Sequence, residues 1–282
     1  MEQVARRRRS PVKKTASASA SASASAKDKS PRVAAPAVAN AFRILEFLAD
    51  FPRGAGVSEI ARALGISKSS CFNVLATLLL HEAVIKDQRR ADWRLGPKLV
   101  KLGTAARRGY SYRTSLRQAV QGLVDANGLT CLVGQVLANN QGIVVIDRIL
   151  PRTRHPEVVT PPIGELYPLT APAMGRAVLA QLDDDEVMLI AGRDAGSTTQ
   201  NHQALLTKLE EIRKLGYATS LEEYEPTTHA VACLLPVGND AGLVLCLVGH
   251  RHRLPVKKIP GIAALLITAA RSISDELLSS IQ

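Results

Sequence analysis

Between Ser58 and Ile85 the chain reads SEIARALGISKSSCFNVLATLLLHEAVI, and the Gly65-Ile66-Ser67 break inside it constrains folding more than any other feature. A glycine just past an apolar-periodic segment stops a helix in the left-handed conformation, and a serine two residues later can cap the next one. The spacing predicts a short helix capped by Ser58 and ending at Leu64, then a second helix capped by Ser67 and running to about His81. In the second helix Cys71, Val74, Leu75 and Leu78 fall at i, i+3, i+4 and i+7 and form the stripe that packs inward. Lys68, Ser69, Phe72, Asn73 and Thr77 are left on the outward face.

The flanks extend the pattern. NAFRILEFLADFP places Phe42, Leu45, Leu48 and Ala49 at helical spacing behind Asn40 as an N-cap, with Pro52, Gly54 and Gly56 ending the segment. AVIKDQRRADWRLG follows as two short alternating runs around a polar tip, which is a hairpin signature. Helix, helix, tight turn, helix, hairpin is the order of a winged helix-turn-helix, whose second helix enters the DNA major groove. On that reading Ser67, Lys68 and Ser69, with the free N–H groups of the helix start, suit phosphate oxygens. The Asn73 amide suits adenine, and Arg89 and Arg90 at the hairpin tip suit the minor groove or backbone. The expected partner is a double-stranded DNA operator.

Charge agrees. The chain carries a formal +11 over 282 residues, of which +7 lies in residues 1–35, +4 in 36–105 and none in the rest. Such asymmetry is expected when one end meets a polyanion. The first 35 residues (RRRRSPVKK, ASASASASASA, KDKSPRVAAP) are low complexity and are expected to be a disordered tail. Four cysteines without a C-x-x-C pair suit a reducing compartment. No apolar run is long enough to span a membrane, and the starting arginines are not followed by the apolar stretch of a secretory signal. The cytoplasm is the expected location, with no membrane partner.

From about Leu116 strands and helices mix. TCLVGQVLANNQGIVVIDRI and AVACLLPVGNDAGLVLCLVG each read as strand, turn, strand, with helices around 173–182, 203–215 and 262–278. Antiparallel hairpins with segregated helices indicate an α+β fold. The expected organisation is a tail (1–35), a winged helix-turn-helix domain (36–103), a linker helix (104–118) and a second domain (119–282). Thr170 can cap a helix starting at Ala171, which would leave the N–H groups of Ala173 and Met174 open to an anion. Catalytic motifs are missing: there is no G-x-S-x-G elbow, no phosphate loop and no His-Glu-x-x-His. His250 and His252 offer two imidazoles without an evident third ligand. No enzyme activity, cofactor or metal is expected.

The stretch AFRILEFLADFPRGAGVSEIARALGISKSSCFNVLATLLLHEAVIKD…WRLGPKL resembles the IclR family of bacterial transcriptional regulators, and GELYPLTAPAMGRAVLA and GYATSLEEYEPTTHAVACLLPV continue the resemblance, which covers about Val38 to Leu278. The resemblance implies a GAF/PAS-like effector-binding domain after the DNA-binding one, and a homodimer or dimer of dimers. It also implies that Ala173 and Met174 belong to an effector pocket, completed by Cys131, Tyr167, Ser220, Thr227, His229 and Cys246. Departures from the family pattern are Phe72-Asn73 where many members have His-Arg or Tyr-Arg, and Gln88-Arg89-Arg90-Ala91 where a glycine pair is common. Ala230 replaces a cysteine, Cys246 and Val248 replace a Ser-x-Ser, and Ser220 stands where some relatives have aspartate. These make the expected pocket less polar and point to an aromatic monocarboxylate rather than a very small acid such as glyoxylate. The competing classes are an enzyme on a small acid with an accessory DNA-binding domain, and a non-specific architectural nucleic-acid binder.

Overall fold

The computed structural model describes residues 35–87, 90–108, 113–138, 142–152, 157–192, 199–235 and 242–279. The expected disordered tail, apart from Ala35, and Arg89 of the hairpin tip lie outside them. The chain divides into two compact units between Lys98 and Leu99.

The first unit is α1 (Pro36–Ala49), α2 (Val57–Leu64), α3 (Lys68–Leu80) and an antiparallel hairpin of β1 (Val84–Lys86) and β2 (Trp93–Leu95). This is the expected winged helix-turn-helix. Gly65 takes φ +64 after α2, with Gly65 N–H donating to the Arg62 carbonyl and Ile66 N–H to the Ala61 carbonyl, which satisfies two orphan acceptors of the helix end. Arg43 from α1 satisfies a third, donating to the Leu64 carbonyl at 2.6 Å. Ser67 then caps α3, accepting from Ser70 N–H at 3.1 Å. At this break the chain turns through 115°.

Two boundaries differ from expectation. α1 begins at Pro36, tolerated in a first turn because its missing N–H would be unbonded there anyway, so Asn40 is interior and not a cap. α2 begins at Val57 behind Gly56, so Ser58 lies in its first turn and not at the cap. The buried stripe of α1 is Ile44 and Leu48, while Phe42 and Ala49 are exposed. A segment as apolar as FRILEFLA permits more than one phase, and packing against Ile60, Cys71, Leu75 and Trp93 selects this one.

The second unit holds a six-stranded antiparallel sheet in the order β5-β4-β3-β8-β7-β6. Its strands are β3 (Thr130–Val136), β4 (Ile143–Ile149), β5 (Leu166–Tyr167), β6 (Ala218–Leu221), β7 (Thr228–Leu235) and β8 (Leu243–His250). One face packs on α5 (Arg113–Asn127) and α9 (Ile259–Ser279) through Val120, Leu129, Leu247 and Leu266. The other packs on α6 (Met174–Leu179), α7 (Asp184–Ala191) and α8 (Thr199–Leu215) through Leu132, Val178, Leu209 and Val244. α7 opens on Asp183, whose carboxylate accepts from Glu186 N–H at 2.8 Å. α4 (Pro97–Arg108) leads in from the first unit and has no buried residue, whereas α5 buries Leu116, Val120 and Val124 and so belongs to the second unit. Among the described residues no single helix is long and apolar enough to cross a membrane.

One expectation about local structure fails. Thr170 does not cap: the helix begins at Met174, with Ala173 at the cap position in a left-handed φ of 55°. His250 ends β8 and His252 lies in the following turn, where the two rings stack 5.9 Å apart and His252 Nε2 meets Glu157 at 3.2 Å.

Gly175 explains why the AMGRA segment needs its glycine. A Cβ there would lie 2.1 Å from the Leu169 carbonyl oxygen and 3.1 Å from that of Pro168, both main chain. Gly175→Ala is expected to lower the stability of the second unit by roughly 1–3 kcal/mol, read as a lower thermal midpoint. Gly122→Ala in α5, where nothing lies within 4 Å of the added carbon, is expected to raise stability by up to about 1 kcal/mol.

Candidate functional site

Two surfaces carry candidate chemistry. The first is the outward face of α3, where Lys68, Ser69, Phe72, Asn73 and Thr77 are all exposed while Cys71 and Leu75 are buried. Ser67, Ser69 and Ser70 hydrogen-bond among themselves at the helix start, with Oγ separations from Ser67 of 3.1 and 2.8 Å. Thr77 donates its hydroxyl proton to the Asn73 carbonyl at 3.0 Å, which leaves its oxygen able only to accept. Neither the Asn73 amide nor the Lys68 ammonium has a partner among the described residues. Phe72 is 48 % exposed, a large apolar ring presented beside those polar groups. Arg90 is exposed in the wing, its N–H donating to Asp87 Oδ1 at 3.1 Å. Lys86 lies 5.3 Å over the Trp93 ring, which ties the wing to its own core.

The second is a cavity of about 320 Å³ in the second unit, at the low end for small-molecule sites. Its floor is the sheet: Leu132 of β3, Cys246 and Val248 of β8, Thr228 and Ala230 of β7, and Ser220 of β6. Ala173 and Met174 close one side at the start of α6. Segment 159–162 closes another, held by Thr130 Oγ1 donating to the Val159 carbonyl at 2.5 Å and by Arg148 donating to the carbonyls of Thr160 (3.2 Å) and Pro161 (2.8 Å). Tyr167 and Tyr224 meet with ring centroids 5.1 Å apart, and Glu165 and Glu225 stand beside them in the lining. Burial pushes both phenols up, and the two carboxylates push the same way. Burial also raises the Cys246 thiol to about 12, so it is an apolar wall and not a nucleophile.

Seven residues expected from sequence therefore meet here: Tyr167, Ala173, Met174, Ser220, Ala230, Cys246 and Val248. Three do not. Cys131 faces α5 and α9 with Val133, because it alternates with Leu132. His229 likewise points away from the cavity, between Thr228 and Ala230, with Nδ1 2.8 Å from the Leu254 carbonyl. Thr227 sits at the turn before β7 in a left-handed φ of 65°, its hydroxyl 3.4 Å from His250 Nδ1. Period-2 alternation from Ala230 would have found Thr228 and excluded His229. Tyr224, Glu225, Glu165 and segment 159–162 come from loops with no such signal.

The β6–β7 turn that brings Tyr224 and Glu225 over the cavity is anchored at its β6 end by ion pairs on Glu222 and Glu223. Arg176 of α6 forks onto both oxygens of Glu223, and also donates to the Thr219 carbonyl at 3.3 Å. Arg251 donates to Glu222 at 3.2 Å, with His229 Nε2 3.7 Å from the same carboxylate.

Comparison with known proteins places both units in one family. The model of the bacterial transcriptional regulator IclR C-terminal domain matches residues 109–275, and that of the IclR helix-turn-helix domain matches residues 37–88. The Escherichia coli HTH-type transcriptional regulator XynR is 28 % identical over 74 % of this chain and 82 % of its own. The E. coli regulator KdgR is 27 % identical over 89 % and 95 %. The crystal structure of an IclR transcriptional regulator from Alicyclobacillus acidocaldarius superposes with a TM-score of 0.73 at 25 % identity, covering 86 % of this chain and 99 % of that one.

The Arg176–Glu223 fork yields a pH prediction. Hydrogen bonds from Arg176 hold the Glu223 carboxyl below its ordinary value, against the partial burial that pushes it up. A carboxyl lower in the folded than the unfolded chain stabilises fully above the unfolded value of about 4.3, and that contribution is lost as pH falls through the folded one. Arg176→Met is expected to flatten the loss of stability between about pH 5 and pH 3, read from urea midpoints at each pH.

Proposed function

The chain belongs to the IclR family of bacterial transcriptional regulators, and from that membership we propose that it is a ligand-responsive one. The α3 face reads an operator, and the cavity in the second unit takes the effector. The observation that carries the first half is the outward face of α3. Lys68, Ser69, Phe72, Asn73 and Thr77 are exposed on the helix that a helix-turn-helix presents to the major groove, and the Asn73 amide has no partner among the described residues. Ser67, Lys68 and Ser69 hold phosphate and Asn73 reads a base edge, while Arg89 and Arg90 of the wing reach the flanking groove or backbone.

One winged helix offers little interface for operator-level specificity, so two copies bind half-sites related by a dyad. α4 supports this assembly. None of its residues is fully buried, and Val100 is 73 % and Leu102 54 % exposed, large apolar side chains that a second copy would cover. Effector binding alters DNA affinity only through a difference in affinity between two arrangements of the protein, and the coupling is reciprocal.

The expected effector, an aromatic monocarboxylate with its carboxylate at Ala173 and Met174, divides into two halves. The apolar body is supported by Leu132, Met174, Ala230, Cys246 and Val248 and by the tyrosine pair. The carboxylate end would face Glu165 and Glu225 in the same lining, which oppose it, so the support extends to the apolar body alone.

Asn73→Ala is expected to cost about 1–3 kcal/mol on the preferred duplex and to relax selection at one position per half-site, measured on sequences enriched from a random library. Equal losses on preferred and random duplexes would remove Asn73 from base readout. Lys68→Ala is expected to weaken all sequences alike and to lower the salt slope by about one unit. Val100→Glu with Leu102→Glu is expected to shift the protein toward monomer in sedimentation; an unchanged mass would place the seam elsewhere.

A further inference from the structure

We infer that the cavity of the second unit is built for a small organic amine: a protonated nitrogen held at Glu165 and Glu225 against the Tyr167–Tyr224 ring pair, with an apolar body against the sheet. This rests on the reading of the cavity as the effector site and names its ligand class.

The argument begins with charge. Glu165 and Glu225 both line the cavity, and neither has an ion pair or side-chain hydrogen bond among the described residues. The described cations that hold the segments walling the cavity are already committed. Arg176 forks onto Glu223, Arg251 donates to Glu222, and Arg148 is turned onto the carbonyls of Thr160 and Pro161. No Lys, Arg or His is among the described residues of the lining. Two carboxylates without a cationic partner among the described residues, Glu165 half-buried and Glu225 exposed at the rim of a small cavity, repel an anion and attract a cation, and unpaired charge is how a site rejects the wrong ligand.

The aromatic pair points the same way. Tyr167 is only 8 % exposed, and its ring lies 5.1 Å from that of Tyr224, tilted by 48°. Both phenols are held protonated, and Glu165 and Glu225 contribute to that in each case, so both carboxylates act on the same ring pair. A ring face next to a carboxylate is a favourable place for an ammonium, which gains from the quadrupole and the charge together. The Ser220 hydroxyl, 5 % exposed in the cavity and without a partner among the described residues, can accept a further N–H. Beyond this polar end, Ala230, Cys246 and Val248 offer no charge, so the rest of the ligand is apolar. A volume of about 320 Å³ suits a body no larger than one substituted ring.

The test is calorimetric titration of the full chain at pH 7 with three probes of one shape: benzylamine, benzyl alcohol and benzoate. Benzylamine is expected to bind about tenfold or more tightly than either of the others. The isosteric double variant Glu165→Gln, Glu225→Gln, checked for an unchanged thermal midpoint, is expected to lose that advantage and to bind amine and alcohol alike. Benzoate binding as tightly as benzylamine, or no binding by any probe, overturns the amine assignment. So does an amine preference that survives in the double variant. A parallel titration of a library-selected duplex separates this from the effector reading. If benzylamine binds with the expected preference and leaves DNA affinity unchanged, the ligand class stands and the effector role of the cavity falls.

Discussion

Both faces of the six-stranded sheet are buried, and almost everything else in the second unit follows from that. A residue on β3, β7 or β8 has its surroundings set by parity: one face meets α5 and α9, the other meets α6 to α8 or the cavity. Ala230 lines the cavity while His229 and Val231 pack on the far side, and Leu132 lines it while Cys131 and Val133 do not. One irregularity breaks the rule usefully. The β3–β4 register shifts between Val133 and Gly134, so that Asp147 stands opposite Val133 and Val145 opposite Gly134. This extra residue turns Asp147 to the α5 and α9 side, where it accepts from Arg107 of α4 at 2.8 Å. It also places Arg148 opposite Leu132, where it braces the segment that walls the cavity.

The cavity therefore joins a rigid floor to walls made of loop, and the walls are held by charge and by main-chain acceptors. Arg176 is the joint between them. It lies on α6, whose first residue lines the cavity, and it grips the turn that carries Tyr224 and Glu225. A ligand that shifts either element strains the other through a fork of charge-assisted hydrogen bonds. Glu222 and Glu223 are consumed by this scaffolding, whereas Glu165 and Glu225 have no cationic partner among the described residues.

How much of this could be read in advance depended on how local each cause was. The winged helix was legible because its signals are local: Gly65 must end one helix, Ser67 can cap the next, and Cys71, Val74, Leu75 and Leu78 are spaced for a single face. The phase of α1 was not, since FRILEFLA supports more than one stripe and only contact with α2, α3 and Trp93 chooses Ile44 and Leu48. Strands buried on both faces hide their parity in the same way, because apolar residues on both sides remove the alternation that would tell them apart. Cys131 and Leu132 are equally apolar in the sequence and opposite in fate.

By itself the sequence determined the DNA-binding unit, the antiparallel character of the second half and seven of the residues around its cavity. Each followed from a cap, a turn, a period or a family motif confined to a few neighbouring positions. Only the tertiary structure decided the charge of the cavity. Glu165 and Glu225 lie sixty residues apart on separate loops, and whether a glutamate is neutralised depends on which cation the fold brings beside it. Arg176 went to Glu223 and Arg251 to Glu222, over separations of 47 and 29 residues. A Coulomb interaction depends on distance in space, and no spacing along the chain encodes that.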